Sequence, residues 1–431
     1  MTKHHPDHAV VLGGSVAGLM AAAALAQRYA RVTVVERDVL PRGGPHAHRR
    51  AVPQGRHVHG LLPQGRRVVE ELLPGFTERI VAAGGHRGDI LGNTRWYLNG
   101  RRLCQAHTGL TAVSASRPLI EGTLRDLVLA LPNVTLLDGH DVVGVCGTAE
   151  RVTGARVTSL HGAGSRVVPA AVVADATGRG SRAPQWLADL GLPVPPEESV
   201  RIDLAYTSRV FAAPEDLLGD DVVVATARFP GQHRSAVMQR LEGGRVLVTL
   251  AGVHGERAPA DLPGFTEYAA SLPVPDTADA VRAATPLGEA MPFRFPTYVR
   301  RRYEQLESLP EGLLVLGDAA CAFNPVYGQG MSVAAMCADV LRGTVEPAAF
   351  FAAQARLLDA PWTLAVRADV EGPSEPLRRL QLAAEHDPEL AAAFIRVTSL
   401  VDPPSALAAP WIAERLSPAG PAPRAATAGP R

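Results

Sequence analysis

Asp318 follows Gly317 directly after the apolar run 313–316, and Pro325-Val326-Tyr327-Gly328-Gln329-Gly330 then opens a second apolar run, 331–341. A strand ending in Gly-Asp delivers a carboxylate at its C-terminal tip, where it accepts hydrogen bonds from polyol hydroxyls. A helix begun by Pro-x-x-Gly-Gln-Gly presents bare backbone N–H groups, which favour an anionic or electron-rich ring edge. Together the two features suit a flavin, whose ribityl chain and pyrimidine ring must be held at once. Gly317, Asp318, Pro325, Gly328, Gly330 and Met331 are the expected contacts.

A second nucleotide feature stands at the N-terminus. Val10-Val11-Leu12 reads as a short buried strand, Gly13-Gly14-Ser15-Val16-Ala17-Gly18 as a turn, and 19–29 as a helix. A further strand, 32–35, ends in Glu36-Arg37. In such a unit the pyrophosphate sits at the helix N-terminus and the adenosine ribose on the acid. Ser15 replaces the middle glycine of G-x-G-x-x-G; its N–H still donates, but its side chain leaves less room.

The elements that must position these groups describe an α/β chain. Ser116-Arg117-Pro118 starts a helix with Leu119, Leu124, Leu127 and Val128 on one face. Short strands are expected at 134–137, 142–145, 155–159 and 167–168, and another at 172–175 that ends in Asp175-Ala176-Thr177-Gly178-Arg179-Gly180. Asn99-Gly100 marks a two-residue hairpin turn. Residues 186–289 read as strands and long loops without a nucleotide signature, including a hairpin through Glu242-Gly243-Gly244. The expected organisation is a discontinuous dinucleotide unit (1–70, 105–185, 290–345), a substrate-binding β-sheet unit (71–104, 186–289), a helical segment (346–416) and a disordered tail (417–431).

Composition narrows the function. Lys plus Arg and Asp plus Glu each number 43, so no basic face advertises nucleic acid. Cys104, Cys146, Cys321 and Cys337 show no C-x-x-C spacing, which argues against a disulfide framework or zinc site and for a reducing cytoplasm. No metal site is expected: His57 and His59 lack a third ligand nearby, and His4, His5 and His8 belong to a polar, frayed start, 1–8. Glycines break the uncharged stretch 9–26 and charges break every apolar run of 347–416, so no membrane span is expected.

The order of four motifs, Gly13–Gly18 with Glu36, the Arg117 helix, the Asp175 turn and Gly317-Asp318 with Pro325–Gly330, resembles the single-component (group A) flavin monooxygenases over most of 9–345. Val52-Pro53-Gln54-Gly55-Arg56-His57-Val58-His59 and Phe323-Asn324-Pro325-Val326-Tyr327-Gly328 look closest to the bacterial polyene epoxidases of polyether biosynthesis, the lasalocid and monensin type. The resemblance implies a Rossmann-like, glutathione-reductase-type FAD domain interleaved with a mixed-sheet substrate domain, followed by C-terminal helices. It also implies FAD, NAD(P)H as reductant, dioxygen and a small apolar secondary-metabolite substrate, oxygenated through a flavin C4a-hydroperoxide. Arg117 would reach the flavin pyrophosphate or ribityl region, and Val142 would meet adenine through its backbone. Asp175 would serve FAD and the nicotinamide, although Ala176 stands where the family has glycine. Gln54, Arg56 and His57 would flank the isoalloxazine, and Tyr327 would wall the oxygen pocket. Cys321 and Met331-Ser332 replace a histidine and an asparagine common in the group. No catalytic side chain is singled out, since the cofactor supplies the electrophile. A redox-neutral cyclase of a polyene or polyketide and an alkene reductase of the geranylgeranyl type are the alternatives. Halogenation is disfavoured, because the four tryptophans form no W-x-W-x-x-P segment.

Overall fold

The computed structural model describes residues 7–41, 46–162 and 164–417. A five-stranded parallel sheet runs in the order Leu313–Val315, Val172–Asp175, His8–Leu12, Arg31–Val35, Val134–Leu137. All five residues of the central strand His8–Leu12 are buried, as a parallel sheet covered on both faces requires. The strand therefore begins within the stretch expected to be frayed. His8 is 4% exposed, with its Nε2 2.8 Å from Thr33 Oγ1; His4 and His5 lie outside the described residues. Helices Val16–Ala26, Arg117–Leu129 and Gly330–Gly343 share one core with this sheet, as does the antiparallel meander His140–Gly147, Val152–Ser159, Ser165–Pro169.

An eight-stranded mixed sheet runs in the order Cys321–Ala322, Thr285–Arg301, Glu197–Ala212, Arg245–Gly252, Arg234–Leu241, Val223–Thr226, Thr94–Leu98, Arg101–Arg102. Phe211, Met238, Val248 and Leu250 pack against Phe265, Tyr268 and Val281 of helices Leu262–Ala270 and Asp276–Ala283. Successive side chains of a strand point to opposite faces. Tyr206, Ser208, Gln239 and Thr249 therefore belong to the other face, which meets the loop ending at His59. Thr285–Arg301 stays in this sheet past 290, where a return to the dinucleotide unit was expected, and the short strand Cys321–Ala322 extends it.

Asn99 and Gly100 both have positive φ (52° and 73°), as the expected two-residue turn requires. The C-terminal helices divide. Pro347–Val370 joins the main core through Phe350, Phe351, Leu358 and Trp362. Glu375–Ala383, Pro388–Thr398 and Pro410–Leu416 instead form a separate cluster with Ile90, Leu91 and Leu103. Ser417 is tied to Ala413 O through its hydroxyl at 2.9 Å; the rest of the expected tail lies outside the described residues. Among the described residues no helix is long and apolar enough to cross a membrane.

Candidate functional site

The N-terminal turn is built around close backbone approach. Gly13 has φ +98°, and a Cβ there would lie 2.6 Å from Ala176 O; a Cβ on Gly18 would collide with the Gly13 carbonyl. Only glycine allows strand, turn and helix to meet so tightly. Gly14 N donates to Glu36 Oε2 at 2.7 Å, which fixes the acid at the strand tip. The Ser15 hydroxyl turns sideways and donates to Glu121 Oε2 at 2.7 Å, while Arg117 donates to Ser15 Oγ at 2.9 Å. Helix Val16–Ala26 consequently has no side-chain cap, and the first-turn N–H groups of Val16 and Ala17 remain available to an anion.

Behind this turn lies a charge network that sequence spacing did not reveal. Arg49 pairs with Glu36 at 2.8 Å, with Asp38 at 3.3 Å and with Glu121, and donates to Gly14 O at 3.0 Å. Burial pushes the Glu121 carboxyl up, but Arg117 and Arg49 outweigh it and hold the group below its usual range. Arg117 itself is 8% exposed and pairs with Glu121 at 3.0 Å. Arg37, expected with Glu36 at the cofactor, is exposed and makes no ion pair among the described residues.

Gly317, at φ +63°, packs where a Cβ would lie 2.6 Å from Ala17 Cβ, so the second motif abuts the first helix. Burial raises the Asp318 carboxyl despite Arg117 and Arg179, and no described residue donates a hydrogen bond to it. Gln329, 5% exposed, holds a buried Oε1 that is equally without a partner among the described residues. Gly330 begins helix Gly330–Gly343, again without a side-chain cap, and Met331 is 6% exposed. Pro325 is exposed, Gly328 has φ +64°, and a Cβ on Gly60 would sit 3.7 Å from Gly328 O. Two orphaned acceptors beside uncapped helix starts fit a ligand that brings hydroxyl and N–H donors together with phosphates, which is the chemistry of a flavin dinucleotide.

The remaining expected contacts divide. Val142 is 6% exposed and pairs with Val157; its strand begins beside Glu36, where His140 N donates to Glu36 O at 3.0 Å. Asp175 is fully buried, and its carboxylate is engaged by Thr177 N at 2.9 Å and by the Thr177 and Ser181 hydroxyls at 2.6 Å each. It shapes its own turn. Gln54 and Arg56 lie on a 3-10 turn, Pro53–Arg56, that delivers His57 to the mixed sheet. His57 Nδ1 is 2.8 Å from Ser208 Oγ, which is 2.6 Å from Thr249 Oγ1. Its ring meets Tyr206 edge-on at 4.7 Å and Phe293 at 5.3 Å. Burial, then Arg56, pushes the imidazole down to about 4, so it is neutral near pH 7. The Arg179 guanidinium lies 4.2 Å over Phe295.

The Tyr327 hydroxyl is engaged by helix Pro347–Val370. It donates to Asp369 Oδ1 at 2.7 Å, while Asn324 donates to Asp369 Oδ2 at 2.9 Å and Arg228 pairs with the same carboxylate. Asn324 Oδ1 in turn accepts from Val326 N at 3.0 Å. The turn before Gly330 is therefore tied to helix Pro347–Val370. Burial pushes the Cys321 thiol well up, as befits a packed thiol and not a nucleophile. Arg49, Glu121 and Asp369 were absent from the expected site because they converge in space from distant parts of the chain.

A family model described as FAD dependent oxidoreductase matches residues 9–185. Protein Rv3254 of Mycobacterium tuberculosis is 35% identical over 438 residues, covering 92% of this chain and 90% of that protein. Three solved structures share the fold at low identity. The flavin-dependent brominase Bmp2 has a TM-score of 0.68 at 15% identity, covering 91% of this chain and 93% of its own. Pseudomonas aeruginosa pqsL, described as a probable FAD-dependent monooxygenase, has a TM-score of 0.63 at 18% identity, covering 90% and 100%. The Diels-Alderase PyrE3 of the pyrroindomycin pathway has a TM-score of 0.62 at 17% identity, covering 92% and 81%. With the glycine cradle, the Gly317-Asp318 tip and a relative of this extent, the chain belongs to the FAD-dependent oxidoreductases.

Proposed function

We propose that the protein is a monooxygenase that uses NAD(P)H and O2 to insert one oxygen atom into an apolar, polyene- or polyketide-like secondary-metabolite precursor, by epoxidation of an alkene or by hydroxylation. Gly13, Ser15, Val16, Ala17, Gly18 and Glu36 would hold the adenosine diphosphate side of FAD, with Val142 at the adenine. Arg117, Gly317, Asp318, Gly328, Gly330 and Met331 would hold the ribityl chain and pyrimidine. Bound FAD supplies the redox chemistry and the activation of oxygen. The protein's own groups bind, orient and exclude water.

The observation that carries this reading is the His57–Tyr206–Phe293 cluster on the sheet face. Its imidazole is neutral, and burial raises the Tyr206 phenol above its usual range. A cluster whose histidine and tyrosine are both neutral suits a reaction whose electrophile comes from the cofactor. The redox-neutral cyclase is the second reading, favoured by the shared fold with a Diels-Alderase. Mass spectrometry of products formed under 18O2, with a panel of polyenes and aromatic polyketides and with NAD(P)H consumption followed, tests the proposal. One labelled oxygen per NAD(P)H oxidised is expected. Turnover without NAD(P)H oxidation would establish a cyclase, and NAD(P)H oxidation yielding a hydrogenated, unlabelled product would establish an alkene reductase.

A further inference from the structure

A cavity of about 150 Å³ lies between the loop carrying His48 to His57, the start of helix Arg117–Leu129, and strands Arg234–Leu241 and Arg245–Gly252. Its wall carries Arg56, Arg117 and Arg245 against a single carboxylate, Glu242. That carboxylate is already engaged: Oε2 accepts from Ser116 N at 2.9 Å, and Oε1 from Arg245 at 2.8 Å. Arg117 has its counter-charge in Glu121, which is not part of the wall. Arg56 meets no carboxylate among the described residues; the contact it makes is with Met291 Sδ at 3.9 Å. The cavity thus carries one uncompensated positive charge.

Gln239 Oε1, buried on the same wall, also lacks a partner among the described residues; so does Nε of Arg117, the residue proposed above for the flavin. Gln239 is 3% exposed, and its Nε2 makes only long contacts, 3.4 Å to both His59 O and Ala115 O. Oε1 can only accept and Nε2 is held by two carbonyls, so the donors for an anion are those of Arg56 and Arg245. Burial, followed by Arg56, lowers the pKa of His48 and His57 in the wall, consistent with a positive potential beside them. The volume matches a benzene-sized body and falls below the roughly 300 Å³ at which whole-ligand pockets begin. It has room for the head of a ligand and not for a dinucleotide.

We propose that this cavity binds the carboxylate of the organic substrate, so that the substrate is an amphipathic acid and not a neutral hydrocarbon. The inference rests on the substrate site proposed above, with His57 joining the two: it lines the cavity on one side and packs on Tyr206 and Phe293 on the other. Arg56 and Arg245 would take the carboxylate by charge-assisted hydrogen bonds, and the apolar body would extend along the aromatic rings.

Calorimetric titration of the purified, flavin-loaded protein with benzoate and with its neutral isostere benzamide tests this. Benzoate is expected to bind more tightly by roughly tenfold, the least that a hydrogen bond to a charged group is worth. The preference should collapse in Arg56→Gln and in Arg245→Gln, each checked by circular dichroism and thermal melting. Arg56 is exposed on its loop, so its variant decides the matter if Arg245→Gln fails to fold. Equal binding of the two probes, or a preference that survives both substitutions, would overturn the proposal. Displacement of benzoate by NADP+ but not by NAD+ would also overturn it, by assigning the cations to the reductant's phosphate. Product without an 18O label leaves the benzoate preference unaffected, so the two proposals fail separately.

Discussion

At the scale of single residues, the site separates groups that are already satisfied from groups that wait for a ligand. Asp175 accepts three hydrogen bonds from its own turn, whereas Asp318 accepts none from any described residue. Asp318→Ala should therefore weaken FAD retention by roughly 1.5–3 kcal/mol, the worth of a hydrogen bond to a charged group, at little cost to folding. Equilibrium dialysis of the apoprotein with FAD reads this, and unchanged affinity would remove Asp318 from the cofactor site. His57 makes a second residue-scale case. The unfolded imidazole titrates near 6.5 and the folded one at about 4, so the unfolded chain binds more protons between those values. Stability conferred by the neutral ring is then lost as pH falls through that window, by up to about 1.4 kcal/mol per pH unit. Asp175 and Asp318, both raised by burial, act in the opposite direction as pH falls, so wild type alone does not isolate the histidine. Melting curves of His57→Gln against wild type do, and the variant should lose less stability between pH 6.5 and pH 4.

At the scale of elements, the legible parts are those whose chemistry is local. The Gly13–Gly18 turn, the Asn99-Gly100 hairpin and the Ser116 cap, which accepts from Leu119 N at 3.3 Å, each follow from neighbours in sequence. The long strands Glu197–Ala212 and Thr285–Arg301 did not stand out, because bulges shift their register and Asp203 adopts φ 45° within the first. Pro286, Pro292 and Pro296 further disguise the second. They are tolerated because that strand has a partner along its length on one side only, and on the other merely at Val299 and Arg300. The tie between helix Pro347–Val370 and the turn before Gly330 was equally hidden, since Asp369 is remote in sequence from Asn324 and Tyr327. Asp369→Ala leaves Arg228 and both turn side chains without their shared acceptor. Breaking a buried ion pair from one side costs roughly 3–5 kcal/mol. The melting temperature should fall, and hydrogen exchange at Val326 and Gly328 should rise. Unchanged exchange there would show that the helix does not hold the turn. Gly18→Ala offers a sharper contrast with Gly180→Ala: the first drives a Cβ into the Gly13 carbonyl, whereas a Cβ at Gly180 meets nothing within 4 Å. Loss of flavin should accompany the first substitution and not the second.

At the scale of the whole molecule, the C-terminal region serves two different cores. Residues expected to form one helical segment, 346–416, divide between the dinucleotide-side core and a satellite cluster at the far edge of the mixed sheet. The satellite includes Ile90, Leu91 and Leu103 with Leu380, Leu390 and Ile395, and Cys104 N donates to Ala384 O at 2.8 Å across the joint. Flavin binding and this packing are therefore expected to be separable. Leu390, 1% exposed, can be cut to alanine at a cost of roughly 2–5 kcal/mol, the range for a buried leucine. Its contacts lie in the satellite and not in the cluster that contains Val16, Leu316 and Met331. The substitution should thus lower the melting temperature while leaving FAD affinity and the flavin absorption spectrum of the folded protein unchanged. A matched fall in both stability and cofactor affinity, measured below the melting transition, would mean that the outer helices reach the cofactor through the sheet. Separable effects would instead leave Pro347–Val370, through Asp369, as the helix through which the C-terminal region acts on the flavin.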